Sequence, residues 1–327
     1  QRANTVNSKI GTRIVKGKDA RNYLNHVTVN DIERLSPGKG QYTLMCNQTG
    51  GVVDDLIAYQ TGADEYFLCI NAANIEKDYA WLQEHQKNFP DVALEQVSDM
   101  WAQLALQGPN CLEVLEKILP AETYKDIAEL KYTHIKPITF DGTQAYIART
   151  GYTGEKGYEI YILSPGARAF WTAVLSHPDL VVPAGLGCRD TLRLEACYPL
   201  YGNDLSDTTS PLEAGLSWAV RLDKKQFIGR QALETEKNQG SKRTLVAFKM
   251  EDSAIARSGM KVWHENQCVG VVTSGSVLPS LDSSGGLALV STFSARQVSS
   301  YIHIDVRGKL KRAQIIKKPL YKAKTKS

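Results

Sequence analysis

The stretch Gly50-Gly51-Val52-Val53-Asp54-Asp55-Leu56-Ile57-Ala58-Tyr59 constrains this chain more than any other. Two glycines make a turn that feeds a run of branched apolar residues, the pattern of a strand entering a core. Two carboxylates interrupt that run. Side chains alternate between the faces of a strand, which predicts Val53, Asp55 and Ile57 on one face and Val52, Asp54 and Leu56 on the other. At least one carboxylate then sits in an apolar row, where an unpaired charge costs roughly several kcal/mol and needs a partner or a use. A hairpin entrance with two solvated aspartates is the plainer alternative.

With 327 residues, 43% of them hydrophobic and 23% charged, the chain reads as an ordinary globular protein of two or three domains. No apolar run reaches the roughly 18 residues of a membrane span, and no secretory signal is evident. Because the first residue is Gln1 rather than Met, the start is expected to be trimmed or unseen. Of 39 basic residues, nine lie from Arg307 to Lys326 without a single acid among them, leaving 30 against 35 acidic residues elsewhere. A nucleic-acid footprint would spread over a domain face, so the excess reads as a solvated tail and nucleic acid is not expected as a partner. Lys317, Lys318 and Lys322 become a docking surface if a partner is acidic. The six cysteines contain no Cys-x-x-Cys pair and the six histidines no metal-ligand spacing. Reduced structural thiols, no metal and a reducing compartment are expected, either the cytoplasm or, in a eukaryote, the mitochondrial matrix.

The apolar pattern predicts a helix over 18–28, a strand over 42–46 and a hairpin of strands 56–60 and 66–70. Asn71 stands where the N-cap belongs for a helix carrying Ile75, Tyr79 and Leu82. Further helices are expected over 110–119, from Pro165 and over 186–197, with hairpin strands at 138–140 and 144–148. Paired strands with helices beside them indicate an α+β fold. A domain boundary is expected at 234–242, dividing the chain into 1–235 and 240–327. Six short strands follow it, at 245–248, 262–264, 269–273, 287–290, 301–306 and 313–317, the pattern of a small antiparallel barrel or sandwich.

Two further stretches could carry chemistry. Gly151, Gly154 and Gly157 precede a strand in which Glu159 lies between apolar neighbours. The Lys-Ser/Thr ending of a phosphate loop is missing, so the glycines serve close backbone approach, and the alternative is a tight loop with an exposed Glu159. Arg189 and Arg193 lie one helical turn apart beside Asp190 and Glu195. Such a set is usually a structural ion network, although a guanidinium also suits a ligand carboxylate.

These stretches, with Tyr201-Gly202-Asn203-Asp204, Ser210-Pro211-Leu212-Glu213, Phe227-Ile228-Gly229-Arg230 and Thr273-Ser274-Gly275, resemble in type and order the aminomethyltransferases, the T-proteins of the glycine cleavage system. The resemblance covers nearly the whole chain. It implies a three-domain cloverleaf with tetrahydrofolate in a central channel. It also implies transfer of the methylene carbon from the aminomethyl-lipoyl arm of an H-protein to tetrahydrofolate, with release of ammonia. By the same resemblance the key carboxylate is Asp55, the second Asp of the Gly-Gly-x-x-Asp-Asp motif. Asn71 falls on a folate-contacting Asn, Cys69 on a pocket-lining position, Glu159 on the pterin-binding Glu and Arg189 on a folate-binding Arg. Tyr321 is similar to a C-terminal tyrosine contact.

The chain also departs from that pattern. Family members begin with an arm carrying Met-Pro and then Ser-His-Met-Gly, whereas this chain opens near the second motif as Ser8-Lys9-Ile10-Gly11. Ile10 would stand at the folate-facing Met. Thr273 to Pro279 departs from the usual Ser-Pro spacing. Two alternatives share the fold: a folate-dependent demethylase with a sulfonium or N-methyl donor, and a non-catalytic folate-binding protein. The second typically carries Lys-Gly-Cys-Tyr-x-Gly-Gln, where this chain has Glu195-Ala196-Cys197-Tyr198-Pro199.

Overall fold

A computed structural model describes residues 3–8, 11–292 and 297–322. Ile10 therefore lies outside the described residues. Two helix-backed sheets and one closed barrel make up an α+β architecture of three bodies.

The first sheet has five strands: β2 (Gly11–Lys16), β3 (Gly40–Cys46), β4 (Val52–Gln60), β5 (Glu65–Ile70) and β6 (Ala93–Gln96), in the order β3-β4-β5-β2-β6. Helices α1 (Ala20–Val27) and α2 (Ile75–Gln86) cover one face, where Tyr23, Leu24 and Leu82 pack on Leu56, Ala58 and Leu68. The second sheet runs β11-β1-β7-β10-β9-β8. Its strands are β1 (Ala3–Ser8), β7 (Trp101–Gln107), β8 (Ile135–Phe140), β9 (Thr143–Ala148), β10 (Gly157–Leu163) and β11 (Val181–Pro183). Helices α3 (Cys111–Ile118), α4 (Ala121–Ala128) and α5 (Ser164–Leu175) form its layer. The strand β1 precedes the first sheet in the chain yet pairs in the second, so the two units interleave. Their other faces meet through an aromatic layer of Tyr59, Phe67, Trp101 and Tyr161, with Phe67 edge-on to Trp101 at 5.4 Å and to Tyr161 at 5.1 Å.

After α6 (Leu186–Glu195) and α7 (Arg230–Gln239) come β12 (Arg243–Met250), β13 (Lys261–His264), β14 (Gln267–Leu278), β15 (Ser283–Ser291), β16 (Tyr301–Val306) and β17 (Lys309–Ile316). They close as β12-β15-β14-β13-β16-β17, so the six expected strands form a barrel rather than a sandwich. Closure leaves no free edge. Leu194 and Cys197 seat α6 and its end on the barrel against Leu245, Leu287 and Leu320. The stretch 234–242 falls across the last turns of α7, which ends at Gly240 with φ +81°.

Two expectations are corrected. As far as Ile316 the basic stretch from Arg307 is not a solvated tail: Lys309–Ile316 is a barrel strand, and Lys311 and Arg312 pair with Asp252 at 2.8 Å and Glu251 at 3.4 Å, while Lys324 and Lys326 lie outside the described residues. The consecutive Ile315 and Ile316 carry that signal inside a basic run, the first packing in the barrel core and the second outside it against the cluster of Leu194 and Leu320. The strand β4 does not alternate cleanly either. Its pairing with β3 shifts register between Met45 and Cys46, where Val52 follows Asp54 as partner and Val53 is bulged out of the ladder. Val53 therefore joins the core of Leu56 and Ala58 instead of the face of Asp55 and Ile57, and its carbonyl accepts from Lys77 Nζ.

No helix among the described residues is long and apolar enough to cross a membrane. Nor is any group of three or more His, Cys, Asp or Glu among them arranged to hold a metal ion.

Candidate active site

The double glycine fixes where β4 starts. Gly50 has φ +88°, and a Cβ on Gly51 would lie 1.8 Å from the Asp207 carbonyl, so the chain can cross there only without side chains. Directly beyond the bulge, the aspartates diverge. Asp54 points to the α2 side and is fully buried, where Asn74 Nδ2 donates to its Oδ1 at 2.7 Å and Asn71 donates from Nδ2 at 2.9 Å and from its backbone at 3.3 Å. Asp55 lies on the opposite face and is partly buried. Its Oδ2 accepts from the Tyr42 hydroxyl and its Oδ1 from Asn71 Nδ2, each at 2.9 Å.

Burial, and then the charge of Asp54, push the Asp55 carboxyl up to about 7, while the bonds from Tyr42 and Asn71 pull it back down. A carboxyl so placed exchanges a proton near neutral pH. Asn71 does not cap with its side chain, contrary to its plainer expected role; the amide is drawn away by the two carboxylates.

Glu159 on β10 is 4% exposed, which overturns the exposed-loop alternative. Gln103 Nε2 donates to its Oε1 at 2.8 Å, and Thr150 and Tyr161 donate their hydroxyls to Oε2 at 2.5 and 3.4 Å. The glycine loop ahead of it admits Gln107, whose amide occupies the space where Cβ atoms of Gly151 and Gly157 would stand, at 1.8 and 2.3 Å. That amide donates to the Thr150 and Tyr158 carbonyls at 3.2 and 3.1 Å, holding the strand that carries Glu159.

On α6 the two arginines separate. Arg193 is buried in ion pairs to Asp190 and Asp204, both at 2.7 Å, with Ser274 at 2.9 Å, so it is the structural member. Arg189 is only partly buried and lies over the Tyr152 ring at 4.8 Å. Tyr152 in turn donates to the Pro199 carbonyl. Glu195 anchors Ser280 through its N–H at 2.8 Å and its hydroxyl at 2.7 Å.

Cys69 on β5 stands opposite Ile57 on the Asp55 face and packs against the layer of Tyr161, which donates to Glu159. Burial and the Glu159 charge push its thiol up to about 12; Arg189 lowers it and Asp55 raises it. An unreactive thiol thus stands within electrostatic reach of Asp55, Glu159 and Arg189, which come from β4, β10 and α6. Tyr321 is placed otherwise: its backbone N–H donates to the Glu195 carbonyl at 2.8 Å, six residues and about 9 Å along α6 from Arg189. Sequence reasoning missed Tyr42, Asn74 and Asp78. The spacing i, i+3, i+7 of Asn71, Asn74 and Asp78 marks a polar stripe beside the apolar one of α2, and it was the available signal.

With this geometry in place, comparison with known proteins is direct. Residues 7–224 match the GCVT N-terminal domain, and residues 243–322 match the glycine cleavage T-protein C-terminal barrel domain. The aminomethyltransferase of Lysinibacillus sphaericus is 43% identical over 318 residues, covering 96% of this chain and 85% of the relative. That of Geobacillus kaustophilus is 44% identical over 319 residues, covering 96% and 86%. The crystal structure of the glycine cleavage system aminomethyltransferase T from Bartonella henselae superposes with a TM-score of 0.90 at 30% identity, over 98% of this chain and 87% of that one. The chain belongs to the glycine cleavage T-protein family and is an aminomethyltransferase.

Proposed function

We propose that the space bordered by Asp55, Cys69, Glu159 and Arg189 binds tetrahydrofolate, and that the one-carbon donor is the aminomethylated lipoyl arm of an H-protein. The observation that carries this reading is that Cys69, opposite Ile57 on the face of Asp55, packs against the layer of Tyr161, whose hydroxyl donates to Glu159, so that the two carboxylates border one space. The residues fit the ligand class. A pterin is a flat ring with several N–H donors. Glu159 is buried beside the aromatic layer, and its carboxylate has about four acceptor sites, of which Gln103, Thr150 and Tyr161 use three. Arg189 suits the anionic glutamate tail, and Asn71 borders the same face. Tyr321 is a further contact in this proposal, reached from the end of α6. We assign residues 1–235 to this binding region and 240–327 to the barrel that supports α6.

Bound tetrahydrofolate supplies the nitrogen nucleophile that takes up the methylene carbon. The chain's part is to hold that partner and manage charge. Asp55, about half ionised at neutral pH and more so above it, accepts a proton at Oδ1 or Oδ2 as the nitrogen gives it up, and its negative charge stabilises positive charge developing nearby. Tyr42 and Asn71 each hold one of its oxygens and so fix the carboxylate's orientation. The two bonds the methylene carbon gains replace its bonds to the amine nitrogen and to the lipoyl sulfur, and the two protons given up by tetrahydrofolate end on the departing ammonia and on the lipoyl thiol.

Calorimetry with tetrahydrofolate tests the binding assignment. Arg189→Ala and Glu159→Gln should each weaken binding by about 1.5–3 kcal/mol, the worth of a charge-assisted contact. Unchanged affinity in both variants contradicts it. Ammonia release from aminomethylated H-protein, beside sulfonium and N-methyl donors, identifies the donor.

A further inference from the structure

Behind the Asp55 carboxylate lies a second carboxylate and then a third. We propose that Asp54 is a positioning residue for the transfer reaction: with Asp78 it forms a buried acid pair that fixes the Asn71 amide and, through it, Asp55. The proposal rests on the reading that Asp55 is the reacting carboxylate.

Asp54 and Asp78 are both 0% exposed. Three N–H donors from Asn71 and Asn74 already point at Asp54. Asp78, reaching in from α2, meets no nitrogen or hydroxyl donor at either oxygen. Lys77 Nζ is 3.8 Å from its Oδ1, beyond hydrogen-bond reach, and is taken by the Val53 carbonyl and the Tyr201 hydroxyl. Arg13 on β2 is also near, but its terminal nitrogens go to the Thr12 carbonyl, Ser98 Oγ and the Ile75 carbonyl. Glu76 and Tyr79 act on Arg13 from the same helix. Asn74, one turn before Asp78 on the same face of α2, donates to Asp54 and so brings the Asp54 carboxyl to the Asp78 side of the helix; two carboxyls so placed bond only when one carries a proton. Asp54 already accepts from three N–H donors, so the proton belongs on Asp78, whose O–H becomes the fourth donor to Asp54. Burial, reinforced by the bond to Asp54 and its charge, pushes Asp78 up to about 10, in keeping with that geometry.

The consequence reaches the site. Asp54 offers only acceptor atoms, so Asn71 must turn its NH2 end toward it; the reversed amide would set its oxygen against two carboxylates. The same NH2 group then gives its other hydrogen to Asp55 Oδ1. Tyr42 holds Oδ2, and the Asp55 rotamer is set from both sides.

The direct test is carbon-13 NMR of the intact protein with labelled aspartate carboxyls. One aspartate should keep its proton from about pH 5 to about pH 9, far above the ordinary carboxyl range, and Asp78→Asn should remove that signal. Asp54→Asn should lower kcat by about tenfold or more with little change in KM for tetrahydrofolate. The acid limb of its kcat profile should move to lower pH, because Asp55 has lost a negative neighbour. A structural role alone would leave that limb in place. The absence of any aspartate that keeps its proton beyond about pH 8, or an unmoved limb in Asp54→Asn, overturns the proposal. Wild-type NMR decides the matter even if the variant fails to fold. A fully active Asp55→Asn would overturn the underlying assignment instead, with the protonated-aspartate signal still present.

Discussion

The Tyr42 hydroxyl donates to Asp55 Oδ2 across the β3–β4 ladder at 2.9 Å. Tyr42 stands opposite Ile57, so Asp55 is its diagonal neighbour on the same face, a distance that a long aromatic side chain spans. On its other side the Tyr42 ring stacks on Trp218 at 5.5 Å. The phenol is thereby fixed between a ring and a carboxylate, and burial with the Asp55 charge raises it far above its ordinary range, so it stays a donor at working pH.

Tyr42→Phe keeps the stack and removes the bond. That bond favours ionised Asp55, so its loss should raise the Asp55 carboxyl further above about 7. The acid limb of the pH–rate profile should move up by about one pH unit, with activity largely regained in alkali. An unchanged profile would mean that Asp55 does not control the limb.

Asp78→Asn should stabilise the protein. A carboxyl that keeps its proton to about 10 when folded but releases it in the ordinary range when unfolded makes folding progressively less favourable as pH rises between those values. At pH 7 the penalty is up to about 4 kcal/mol, and it vanishes near pH 4. Urea unfolding at both pH values reads the difference. Equal effects at the two would show that Asp78 is not protonated in the fold.

Gly51→Ala should destabilise by about 1–3 kcal/mol, because the added Cβ meets the Asp207 carbonyl at 1.8 Å and backbone must move. Thermal unfolding measures it. The strand carrying both aspartates begins at this contact, so activity should fall with stability. A neutral substitution would show that the crossing is looser than the geometry requires.

The barrel was legible strand by strand, because period-two apolar runs between turn residues need no distant context. So were the hairpin of β4 and β5 and the helix α6. The strands β1, β2, β6 and β7 were not, since their pairing depends on partners far along the chain. Within the site, the Gly-Gly-x-x-Asp-Asp run showed that a carboxylate needed a use. The faces of Asp55 and Ile57 followed from alternation, but that of Val53 did not, because nothing in a row of valines announces a bulge. The cap expected of Asn71 failed for a related reason: position marks a cap, while the stronger acceptors that claim its side chain are sixteen and seventeen residues away.

The most direct measurement is turnover of Asp55→Asn with aminomethylated H-protein and tetrahydrofolate, beside the affinity of the same protein for tetrahydrofolate. The variant keeps the shape of the side chain and removes the charge and the proton acceptor. Turnover should fall by about 100-fold or more, the scale of losing a positioned general base, while affinity changes only a few-fold. Near-normal turnover in Asp55→Asn would contradict the assignment of Asp55 as the reacting carboxylate.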